Sequence, residues 1–340
     1  MTKRLHTRLT DQFGLTTPLV LAPMALASGG ALAAEWARAG AIGLVGGGYG
    51  DLSWTRHEYM AAVAKIGNAP DCLARLGCGF ITWKLDEDCS ALDWLLDQPT
   101  RPRAVMLSFG DPTKWARRLQ DRGIAVICQV QRVEQLQQVV DAGVTIVVAQ
   151  GCEAGGHGMK SALGRSTFTL VPEIADKLAG VAPKTLLLAA GGIADGRGLA
   201  AALMLGADGA LVGTRAWATS ESLASEGAKA IAVEANGDAT IRSQIFDILR
   251  SKNWPEPYDF RALRNDLHRE WEGREQELRA SPAMPRQQYE EGIASGDFSR
   301  AHVPVGEGVG LLNDVPLGAE LVQRMTQEAK DRMAEVWRHG

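Results

Sequence analysis

The sequence predicts an α/β chain: a TIM (β/α)8 barrel with a smaller, mainly helical inserted domain. Three features of its 340 residues predict this. Eight short, almost uniformly apolar runs recur before residue 216, as strands buried on both faces of a parallel sheet do. Stretches with helical spacing lie between them and stop at glycine. After about residue 219 the alternation ends and a charged segment with interspersed proline and glycine takes over. Eight β-α units fit a closed barrel better than a doubly wound sheet, which usually has fewer strands and a different nucleotide loop.

The strands are predicted in PLVLAP (18–23), AIGLVGG (41–47), LGCGFI (76–81), AVMLSF (104–109), IAVICQV (124–130), VTIVVAQG (144–151), TLLLAAGG (185–192) and GALVGTR (209–215). Between them, GGALAAEWARAG (29–40), PTKWARRLQDRG (112–123) and VEQLQQVVDAG (133–143) read as helices. Residues 218–235 read as a further helix. In 261–280, Leu263, Leu267 and Trp271 lie four apart, so that run reads as a helix with one buried face and a solvated charged face. In the last helix, 318–337, Leu321, Met325, Ala329, Met333 and Trp337 share one face that can close the barrel's outer ring. The barrel is assigned to 1–219 and 303–340, and the insertion to 220–302.

A hydrophobic fraction of 46% is enough for a large core. A net charge of −4, with no basic run, argues against a nucleic-acid partner. No apolar stretch is long enough to span a bilayer, and residues 1–14 lack the apolar core of a secretory signal. The five cysteines are odd in number and form no CxxC or Cys/His cluster, so neither a disulfide framework nor a metal site is expected. The expectation is a cytoplasmic protein with reduced, mostly buried thiols. Oligomeric state stays open, a homodimer being compatible with this reading.

The chemistry of a TIM barrel sits at the C-terminal ends of its strands, and a phosphate is often held after strands seven and eight. Here those ends read AAGGIADGRG (189–198) and LVGTRAWA (211–218), with glycine at each tip before a helix. Gly191, Gly192, Gly213 and Thr214 are the candidate phosphate ligands, because backbone N–H groups at a bare tip can face an anion. Either loop alone could be a plain tight turn; the two together point to a phosphorylated ligand. No GxGxxG follows the first strand, which argues against a Rossmann site. Pro23, Met24 and Thr82 stand at other strand tips. Gln129 and Gln150 can both donate to and accept from a heterocycle edge, or serve as satisfied barrel-interior groups.

The stretch AQGCEAGGHG (149–158) ends the sixth strand and carries His157. Most lone histidines are structural. This one follows a glycine-rich tip on the catalytic face, and an imidazole titrates near neutrality, so it can take a proton from a carbon acid or bind an anion. Cys152 is a conceivable nucleophile beside it but lacks an orienting third group. Glu153 reads as a loop-holding residue. Trp83, Trp217, Trp254 and Trp271 are candidates for a pocket wall or for core packing.

AQGCEAGGHG, AAGGIADGRG and LVGTRAWATSES, with PLVLAPMA near the start and GEGVGLLND (306–314) near the end, resemble the nitronate monooxygenase (2-nitropropane dioxygenase) family, in order over residues 10 to 335. The resemblance implies FMN at the top of the barrel, its phosphate at Gly192, Gly213 and Thr214. Met24, Gln129, Gln150, Gly155 and Gly156 would surround the flavin, and the 306–310 segment would return beneath it. His157 would be the catalytic base or anion partner. Two positions depart from the family's pattern: Gln150 stands where some members have Asp, and Gln129 where some have Lys, which bears on redox tuning.

The implied reaction is FMN-dependent oxidative denitrification of a small alkyl nitronate, or a nitroalkane, with O2 to a carbonyl compound and nitrite. His157 is needed neutral to deprotonate a nitroalkane; protonated, it would favour nitronate binding. Three rivals stand beside this reading. The first is an NAD(P)H-dependent FMN reductase of the same superfamily, acting on quinones or enoyl-acyl carrier protein. The second is a flavin-free phosphate-binding barrel such as an isomerase or aldolase; a Schiff-base aldolase would want a lysine at a strand tip, and Lys84 and Lys160 stand near tips but not in the apolar setting that lowers a lysine pKa. The third is a non-catalytic flavin binder.

Overall fold

The computed structural model describes residues 4–338, with side chains to residue 335; Trp337's side chain and His339 lie outside the described residues. Among the described residues eleven strands run in chain order: β1 (Leu19–Leu21), β2 (Gly43–Gly48), β3 (Leu76–Ile81), β4 (Ala104–Ser108), β5 (Ala125–Val130), β6 (Ile146–Gln150), β7 (Gly156–Met159), β8 (Leu186–Ala190), β9 (Gly209–Val212), β10 (Thr240–Ser243) and β11 (Tyr258–Leu263). Eight of them form one parallel sheet in the order β1-β9-β8-β6-β5-β4-β3-β2. Leu21 N–H donates to the Ile42 carbonyl (2.9 Å) and Ile42 N–H to the Leu19 carbonyl (3.1 Å), bringing the two edges together. All eight apolar runs are barrel strands, and the fold is the TIM barrel.

Alternation explains why these runs are apolar throughout. Val20, Ile127, Val148 and Leu188 fill the barrel interior. Their neighbours Leu19, Leu21, Val126, Cys128, Val147 and Leu187 pack outward against the helices. The polar N-terminal stretch has a structural use that its composition did not suggest. It forms the helix Arg8–Phe13, and Leu9, Phe13 and Leu15 join the interior cluster as a plug. The helix Gly30–Arg38 and the C-terminal helix Gly318–Arg338 pack together in the outer ring, where Leu321, Met325 and Ala329 are buried. No helix among the described residues is long and apolar enough to cross a membrane.

The segment between β9 and the C-terminal helix is less helical than expected. Besides six α-helices it holds β10 and β11, which pair antiparallel. β11 also pairs antiparallel with β7, with Phe260 opposite His157, so a three-stranded sheet ties the segment to the chain that leaves β6. The helix expected over 261–280 is instead the end of β11 and two short helices, Asp266–Trp271 and Glu275–Ala280. The physical reasons are local. The Asn265 side chain caps the first helix by accepting from His268 N–H, and Gly273 breaks the run at φ 77°. Leu263 and Leu267 therefore bury in different clusters. The helix expected over 218–235 is confined to Glu226–Glu234, started by Ser225, whose hydroxyl accepts from Ala228 N–H.

Candidate functional site

The C-terminal ends of the barrel strands open into a cavity of about 590 Å³, roofed by residues 223–302. Its floor is the last inward-facing row of the barrel. One step below, that row is apolar; here it is Ala22, Gly79, Ser108, Gln129, Gln150 and Ala190. Pro23, Met24, Gly155, Gly156, His157, Gly191, Gly192, Gly213 and Thr214 also line it. Thr82 does not. It is buried at the start of the short helix Thr82–Leu85, packed against Gly110, because the chain after β3 turns away from the barrel axis. Among the described residues no cluster of three or more His, Cys, Asp or Glu is placed to hold a metal ion.

The two glycine tips lie side by side, but helix dipoles add little to them. The helix after β8, Gly196–Met204, is capped by Asp195, whose own carboxylate accepts from Arg197 and Gly198 N–H. What remains is bare backbone: a Cβ at Gly192 or Gly213 would come no closer than 3.6 Å to any protein atom. Thr214 Oγ1 accepts from Gly306 N–H (2.8 Å), which draws the 306–310 segment against this end of the cavity. At the floor, Gln129 Nε2 is buried with no hydrogen-bond partner, a costly state that a polar ligand edge would relieve. Gln150 Nε2 donates to the His157 carbonyl (3.0 Å).

The 151–158 stretch is not a loose loop. Gly155 is glycine because a Cβ would strike the Val305–Gly306 backbone at about 2.5 Å. Gly156 is glycine because its φ is 67°, and its missing Cβ faces open space. Glu153 accepts from the backbone and hydroxyl of Thr167 at 2.9–3.0 Å, fixing the next helix. The carbonyls of this stretch point at two arginines of the 220–302 segment. Arg242 donates to Ala154 (2.7 Å), Gly156 (3.1 Å) and Cys152 (3.3 Å), and Arg261 donates to Cys152 (3.2 Å). Burial holds the Arg242 guanidinium down at about 10, still charged at neutral pH.

This clamp presents His157 as the second residue of β7. Its Nε2 lies 3.0 Å from both carboxylate oxygens of buried Asp247. Its ring stacks on Trp254, centroids 3.4 Å apart at 14°. Trp254 in turn donates from Nε1 to the Tyr49 hydroxyl (3.0 Å) and meets Trp83 edge-on. Burial pulls the imidazole down to about 4, with Asp247 opposing, so His157 is neutral at neutral pH. A neutral ring against a carboxylate carries its proton on Nε2 and leaves Nδ1 as a proton acceptor.

Other sequence candidates fall away from this centre. Burial raises the Cys152 thiol, and the side chain is outside the cavity wall. Cys78 and Cys128 are buried, whereas Cys72, Cys89 and Cys152 are only partly so, and all five are free. Lys84 and Lys160 pair with Glu87 and Glu256 at the surface, away from the cavity. Trp217 and Trp254 line the cavity, while Trp271 packs on the core of the 220–302 segment. Asp247, Arg250 and Arg242 escaped the sequence reading. The available signal was a lone Asp inside IFDIL, since an acid among apolar neighbours needs a partner.

Comparison with known proteins agrees with this architecture. A family model described as nitronate monooxygenase matches residues 84–328. The nitronate monooxygenase of Neurospora crassa is 32% identical over 366 aligned positions, covering 97% of this chain and 94% of that protein. FabK from Thermotoga maritima superposes with a TM-score of 0.80 at 26% identity, covering 99% of this chain and 100% of that one. A nitroalkane oxidase from Streptomyces ansochromogenes gives 0.79 at 25% identity, covering 96% and 99%. With the barrel, the glycine tips and His157 all in one cavity, the chain belongs to the nitronate monooxygenase family of oxidoreductases.

Proposed function

We propose that this protein carries out FMN-dependent oxidation of small alkyl nitronates by O2, giving a carbonyl compound and nitrite. One observation carries the reading: a neutral imidazole, held by a buried carboxylate, in the wall of a cavity whose far end is bare backbone. Gly192, Gly213 and Thr214 would hold the FMN phosphate, and Gln129, with its unpartnered Nε2, would meet the polar edge of the ring. Gln150 keeps an oxygen free for a ring N–H while its amide holds the His157 backbone. When bound, FMN supplies the electron transfer from substrate to O2. The 220–302 segment is, on this reading, the substrate-side domain of an FMN-binding barrel.

The protein's own part is placement and proton handling. A nitronate needs no base, because its α-carbon is already deprotonated. A neutral nitroalkane does, and Nδ1 of His157, with Nε2–H committed to Asp247, is the acceptor the geometry offers. The Trp254 stack and the β7–β11 pairing fix the ring plane. The test is anaerobic mixing of the flavin-loaded protein with propyl-1-nitronate and, in parallel, with NADPH. Rapid bleaching by nitronate and slow or no bleaching by NADPH is expected. Bleaching by NADPH alone would replace this reading with a nicotinamide-dependent reductase.

A further inference from the structure

We propose that Arg250 is the anion-recognising residue of the substrate site, its guanidinium taking the oxygens of a small organic anion, a nitronate or a carboxylate, beside His157. This rests on the reading that the cavity under the 220–302 segment receives the substrate. Among the described residues lining the cavity, Arg250 is the only one with a permanent charge. It follows the short helix Ile245–Leu249, one turn beyond Asp247, and its side chain is largely buried. Its guanidinium carbon sits 5.1 Å from the Phe260 ring centroid. Nη1 is buried with no hydrogen-bond partner.

Asp247 does not use up this cation. Its nearer oxygen is 4.0 Å from Nη1, beyond hydrogen-bond reach, while both its oxygens lie 3.0 Å from His157 Nε2. A buried guanidinium with an unmet N–H is costly, and an anion that satisfies it in a water-poor, aromatic setting is bound strongly. The imidazoles in the wall cannot supply that attraction, because burial keeps His157 and His302 neutral. The two roles that His157 alone was expected to share are thereby divided. The permanent cation is Arg250, and His157 is free to be a base.

The experiment is titration calorimetry of the flavin-loaded wild type, Arg250→Met and Arg250→Lys with butanoate, a non-reacting isostere of propyl-1-nitronate, and with neutral butanamide. The wild type should bind butanoate more tightly than butanamide. Arg250→Met should weaken butanoate binding by about 10- to 100-fold and leave butanamide essentially unchanged. Arg250→Lys, a point charge without the planar fork, should fall between and tests the idea should the Met variant not fold. KM for propyl-1-nitronate should rise in step with the butanoate constant, with kcat less affected. Equal weakening of both ligands, unchanged butanoate binding in either variant, or no butanoate binding by the wild type would overturn the assignment. Selective butanoate binding without nitronate turnover would leave Arg250 standing and remove the proposed reaction. Nitronate turnover with KM unmoved in Arg250→Met would do the reverse.

Discussion

At one end of the cavity stand Gly191, Gly192, Gly213 and Thr214; at the other stand His157, Arg250, Trp254 and His302, with Asp247 behind. The first end has no charged side chain in its wall, and its polar groups are backbone and one hydroxyl. The second brings together side chains up to about 145 residues apart, as His157 to His302 are. The barrel end is local, since each tip is a few consecutive residues after a strand. The opposite end exists only because β7 pairs with β11 and Arg242 and Arg261 grip the 152–156 carbonyls. On the proposed reading, holding a cofactor and moving a proton are thus delegated to different parts of the chain.

That division can be broken from either side. The larger effect belongs to the barrel end. Gly192→Val places a β-branched residue at φ 72° in the space assigned to the phosphate. Flavin affinity should fall by about 10- to 100-fold, the cost of such backbone strain. Rates per bound flavin should change little, as read by flavin content after dialysis and by activity normalised to it. Normal flavin retention would remove the phosphate assignment.

The smaller effect belongs to the opposite end and appears with acid. Burial pulls His157 and His268 down to about 4 and His302 to about 3, and all three belong to β7 or to the 220–302 segment. An unfolded histidine titrates near 6.5. Between about pH 6.5 and 4 the unfolded chain therefore binds protons that the folded chain does not. Stability contributed above pH 6.5 is lost as pH falls through that window. The melting temperature should drop by several degrees from pH 7 to pH 5. A flat or rising Tm across that interval would mean these imidazoles are charged in the folded state.

The two ends also differ in how far the sequence disclosed them. Strands buried on both faces leave continuous apolar runs, and a strand tip bare of side chains leaves glycine, so the barrel and its tips are legible residue by residue. GHGM carries no strand signal of its own; β7 is a strand because Phe260 lies opposite His157. Asp247 and Arg250 sit in a five-residue helix and the turn after it, where spacing says only that something is buried. The polar segment Arg8–Phe13 is too short for its two inward residues, Leu9 and Phe13, to show a period. In each of these cases the information lies in a partner distant along the chain.

On the proposed mechanism a neutral His157, aligned by Asp247, moves the substrate proton while leaving the anion to others. The direct measurement is steady-state turnover of nitroethane and of ethyl nitronate by the flavin-loaded His157→Asn variant, with Asp247→Asn alongside. Nitroethane turnover should fall by about 100-fold or more in His157→Asn and by less in Asp247→Asn, with a much smaller effect of either on ethyl nitronate. Equal activity on nitroethane before and after His157→Asn, or equal losses on both substrates, would contradict this mechanism.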